Sequence, residues 1–112
     1  MINAILTAAG IPYRRGRFQS PPAGTYAVFF DNVSVDGADP VTPTSGGRLP
    51  GVRHHNIMVE VYEPRPDDAV EDAIEAKLTA QGLAWDKQDR HWLQDVQRYQ
   101  VIYEFSYTTK NT

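Results

Sequence analysis

From Tyr99 to Tyr107 the chain alternates with a period of two. Tyr99, Val101, Tyr103, Phe105 and Tyr107 fall on one side of an extended backbone; Gln100, Ile102, Glu104 and Ser106 fall on the other. Such a pattern predicts a strand over 97–108 with one aromatic face that needs a cover. The cover is written upstream. Val70, Ile74 and Leu78 recur every four residues, with Ala73 and Lys77 beside them, and predict a helix running to about Gln81. Asp67 or Asp68 can cap its start, and with Asp68 as N-cap Glu71 completes a capping box. Gly82 supplies the stop. Most of the aromatic face is expected to lie under this helix.

Two further stretches read as strands. In 25–35, Tyr26, Val28 and Phe30 share one face and Ala27 and Phe29 the other, so this strand is expected to be covered on both sides at one end. In 52–63, Ile57, Val59 and Val61 oppose Met58, Glu60 and Tyr62, and Pro64 and Pro66 end the run. If the second face of the sheet is covered too, as Ile102 and Phe29 hint, a neighbouring subunit would supply the cover. Between these strands, 36–51 is rich in Gly and Pro and longer than ordinary connections, which predicts the arm of an extended hairpin. Ile2, Ile5, Leu6 and Ala9 predict a two-turn helix closed by Gly10 and Pro12. Residues 11–18 read as a short edge strand. Residues 83–94 read equally as two weak segments around a polar turn or as one irregular strand, and 108–112 as a mobile polar tail. The expected fold is α+β: a mostly antiparallel sheet with two helices packed on it and a long hairpin loop.

A chain of 112 residues fits one domain, expected to be compact. Net charge −3 argues against a dedicated nucleic-acid binder or a polybasic membrane anchor. The absence of cysteine excludes disulfides and thiolate metal sites. The first residues lack a basic segment ahead of a long apolar run, so no signal peptide is expected, and no stretch approaches a membrane span.

Catalytic patterns are sparse. His54 and His55 are adjacent in a strand and point to opposite faces, so they are poor co-ligands, and His91 is the only other histidine. A small enzyme using one of these histidines with a nearby carboxylate is the weakest of the functional readings. Asp67, Asp68, Glu71, Asp72 and Glu75 read as a solvated acidic helix face rather than a cation site. Arg14, Arg15 and Arg17 read first as charges guarding a sheet edge, next as a partner contact, and last as phosphate ligands. No catalytic residue, metal or cofactor is assigned.

The order of elements resembles the tail-terminator, or tail-completion, proteins of long-tailed bacteriophages. The resemblance rests on the short opening helix and the strand Tyr26 to Phe30. It continues through the long hairpin, the strand Val59-Glu60-Val61-Tyr62, the acidic helix from Asp67 to Gly82 and the closing strand Tyr99 to Phe105. It implies a homo-hexameric ring that caps the tail tube, stops its elongation and offers a surface to the head–tail connector. DNA would pass through the lumen without sequence-specific binding. The setting would be the tail or neck of a virion assembled in a bacterial cytoplasm. Exposure and irregularity place the expected contacts at Arg14, Arg15, Arg17, Phe18, Asp39, Arg48, Leu49 and Arg53. The alternatives are another neck or head-completion protein, or a monomeric protein-binding module.

Overall fold

The structure is a computed structural model that describes residues 1–36 and 52–110. The expected loop over 36–51, with Asp39, Arg48 and Leu49, lies outside the described residues apart from Asp36, which is the last residue of a strand. In chain order the elements are α1 (Ile2–Ala9), β1 (Tyr13–Arg15), β2 (Tyr26–Asp36), β3 (Val52–Glu63), α2 (Asp68–Ala80), β4 (Trp85–Lys87), β5 (His91–Leu93) and β6 (Arg98–Lys110). The fold is α+β. The sheet runs β1-β2-β3-β6-β4, with β5 also on β6, and every pairing except β1 with β2 is antiparallel.

Both helices lie on one face, and their apolar stripes meet the inward residues of the central strands. Ile5, Leu6, Ile74 and Leu78 are buried against Ala27, Ile57, Val59, Val61, Val101 and Tyr103. Helix α2 is capped one residue earlier than the capping-box spacing suggests. Asp67 accepts from the Val70 amide at 3.3 Å and from the Thr25 hydroxyl at 2.9 Å, while its own amide donates to Glu63 at 3.3 Å. Those two outside partners hold Asp67, and Asp68 is left to meet Arg90 at 2.9 Å. At the other end Gly82, at φ 71°, donates to Thr79, and Leu83 donates to Leu78 at 3.1 Å. These paired bonds close the last turn as a Schellman motif.

The uncertain stretch over 83–94 forms two short strands on one edge of β6. Lys87 pairs with Tyr103 and His91 with Gln100, so four steps along the edge match three along β6. The extra residue is a bulge, and bulges re-aim side chains; here Arg90 reaches α2. Of the expected tail over 108–112, residues 111 and 112 lie outside the described residues, and the rest belongs to a strand. Thr108 and Thr109 pair with His54 and Arg53, so β6 continues to Lys110 where a mobile tail is expected.

The molecule is not compact. Its radius of gyration is 17.2 Å, against about 13 Å for a compact chain of this size. Strands β2, β3 and β6 run beyond the helices as a three-stranded ribbon, a consequence of strand pairing that length and composition do not report.

Candidate interaction surface

Strand β1 puts the predicted basic residues on the sheet edge, but not on one face. Arg14 pairs with Val28 and Arg15 with Phe29, so their side chains leave opposite sides of the sheet. Arg14, Arg15 and Arg17 are all exposed. Phe18 is not: it is half-buried, edge-on to Tyr26 at 5.5 Å. Tyr26 in turn stacks on Tyr62 at 5.0 Å. The connector after β1 therefore crosses the face opposite the helices, where Arg98 donates to the Ala23 carbonyl at 2.7 Å. This explains why Tyr26, Ala27 and Val28 are all buried, as a strand covered on both sides requires. Arg53 is exposed on the ribbon, six residues along β3 from Val59, the partner of Phe29. At a strand's rise that is about 20 Å from the β1 edge, so Arg53 and the β1 arginines do not form one patch.

Beyond the connector no described segment covers the open face. A groove of ≈ 470 Å³ crosses it, lined by Asn32, Asn56, Met58, Asp86, Glu104 and Ser106 among others. Asn32, Asn56 and Ser106 form one row across three strands. In the next row Asp86 sits directly opposite Glu104 at the outer end. Phe30 lies on this face and is 40% exposed.

The ribbon carries a second constellation on its helix-side face. His55 Nδ1 lies 3.2 Å from Asp31, and His55 Nε2 lies 3.1 Å from the Thr109 hydroxyl. The ring stacks on Tyr107 at 4.5 Å, nearly parallel. Asp31, His55 and Thr109 come from three different strands, so the trio ties β2, β3 and β6 together past the last fully buried residues. His54 and His55 face opposite sides, as adjacency in a strand requires, and His91 is exposed on β5. Among the described residues, no group of three or more His, Asp or Glu is placed to hold a metal ion.

The acidic face of α2 is not wholly solvated. Glu71 and Glu63 are buried, and Arg90 binds both, with Nε 3.2 Å from a carboxylate oxygen of each. Arg90 also binds Glu71 through Nη2. Lys87 meets Glu71 at 2.8 Å and Glu75 at 2.7 Å, and the Tyr103 hydroxyl donates to Glu75 at 2.7 Å. Burial, then the neighbouring Glu71, push the Glu63 carboxyl far above its ordinary range. Burial also acts to raise Glu71, but hydrogen bonds with Glu63, Lys87 and Arg90 outweigh it and hold Glu71 below the usual value. Glu63 Oε2 is buried with no donor. A proton on Glu63 removes that conflict by letting one carboxyl of the pair donate.

Both buried acids carry a signal in the sequence. Glu63 extends the parity of Ile57, Val59 and Val61, and Glu71 lies three residues before Ile74 on the apolar stripe. No family model and no curated protein matches the chain.

Proposed function

We propose that this chain is a structural virion-assembly protein of the tail-terminator type, acting as a ring that caps a tail tube and meets the head–tail connector. The observation that carries the reading is surface left uncovered on a long projecting scaffold. Val33 and Val35 on the ribbon are 44% and 56% exposed, and among the described residues no layer lies over the open face beside Phe30. Exposed apolar residues on an extended sheet favour burial against other subunits. In this reading the His55 trio is a clasp that stiffens the ribbon. The homo-hexameric number, the virion setting and passage of DNA through the lumen come with the family resemblance and belong to the same proposal. Polymerising the tail-tube protein encoded with this chain, with and without it, tests the reading. Shorter tubes bearing a ring at one end support it; unchanged lengths with bare ends refute it.

The groove on the open face favours a second reading, a monomeric module that binds another protein. That reading requires a single protomer in solution and a partner other than the tail tube.

A further inference from the structure

We propose that the acidic outer end of the open-face groove receives the arginine edge of a second copy of this chain, head to tail. The inference rests on the ring reading and assigns its subunit contact. On the open face the sheet is basic at one end, with Arg14, and acidic at the other, with Asp86 and Glu104. Arg14 on β1 and Arg17, two residues after its end, are exposed and have no acidic partner among the described residues. At the other end, Asp86 and Glu104 face each other across β4 and β6, and among the described residues no cation pairs with either. Like charges directly opposite one another in a sheet are destabilising. A guanidinium fork placed between them would turn this repulsion into charge-assisted hydrogen bonds.

The two edges also match in height. Arg14 pairs with Val28, whereas Glu104 pairs with Met58, the partner of Phe30. The offset along the strands is two residues, about 7 Å, within reach of an arginine side chain. Arg14 and the Asp86–Glu104 pair all belong to the open face. A neighbour placed laterally, rotated about an axis parallel to the strands, therefore brings its arginines to the groove mouth. Phe30, just past the end of β1, adds apolar area to the same contact. Because donor and acceptor surfaces lie on opposite edges, the contact is heterologous, and repeating it closes a ring if the rotation permits. Arg15 leaves the other face and takes no part.

Charge reversal tests the contact. Arg14→Glu with Arg17→Glu, and separately Asp86→Lys with Glu104→Lys, should each weaken assembly about tenfold or more. Combining all four, or mixing the two variants, should restore it. Arg15→Glu should leave it unchanged. Light scattering reads the mass, and circular dichroism checks that each variant is folded. The chain has no cysteine, so Arg14→Cys mixed with Glu104→Cys should give, with a flexible bis-maleimide that spans an arginine's reach, a cross-linked heterodimer that neither gives alone. Full assembly in both reversed variants overturns this contact and leaves the ring reading standing. A wild-type monomer at every concentration, with no cross-link in the mixture, overturns both.

Discussion

Arg90 has the most consequential position of any single side chain described. It enters from a bulge and neutralises acids that the strand β3 and the helix α2 have carried inward. Removing one partner of a buried ion pair leaves the others uncompensated, which costs about 3 kcal/mol or more. Arg90→Ala is therefore expected to lower stability by about that amount in urea unfolding. A loss under about 0.5 kcal/mol, the range of an ordinary surface substitution, would contradict the network.

The pH dependence has a definite sign. A carboxyl whose folded pKa is raised adds stability that is complete below its unfolded pKa and is lost as pH rises through the folded one. Glu63, with its folded value pushed up to about 8, should therefore make stability fall as pH rises from the ordinary carboxylate range toward that value. Glu71, shifted the other way, should lose its contribution only as pH falls below that range. Glu63→Gln keeps the shape but removes the proton, so the fall of Tm above pH 5 should flatten in the variant. An unchanged slope would show that Glu63 does not hold the proton.

At the scale of elements, the ribbon of β2, β3 and β6 depends on local ties because the helices do not reach it. His55→Ala removes the bridge to Asp31 and Thr109 and the stack on Tyr107. Each such bond contributes about 1 kcal/mol. Amide exchange should speed up about tenfold at 31–35, 53–56 and 106–109, while Val59 and Val101 stay protected. Uniform exchange in the two proteins would remove the clasp.

Local signals carried much of this level. The strand Val52–Glu63 ends at Pro64, and α2 ends at Gly82, because prolines and glycines act on their own neighbours. What escaped is non-local. The parallel seat of β1, the bulge that delivers Arg90 and the seating of Phe18 on Tyr26 depend on pairings between distant segments. The inward turn of Glu63 and Glu71 was legible in periodicity, yet the charge of Glu71 favoured a solvated helix face, and Arg90, which meets both acids, comes from a distant segment.

For the whole molecule, the elongated shape and the basic and acidic ends of the open face suit the proposed unit of a larger assembly. Arginine contacts of this kind are screened by salt, so assembly should weaken as ionic strength rises. The mass in solution, measured by light scattering over a wide concentration range at low salt and imaged by electron microscopy, bears on this most directly. The ring account predicts one closed species near six protomers that dissociates as salt is added. A single protomer at every concentration, with and without tail-tube ends, would contradict it.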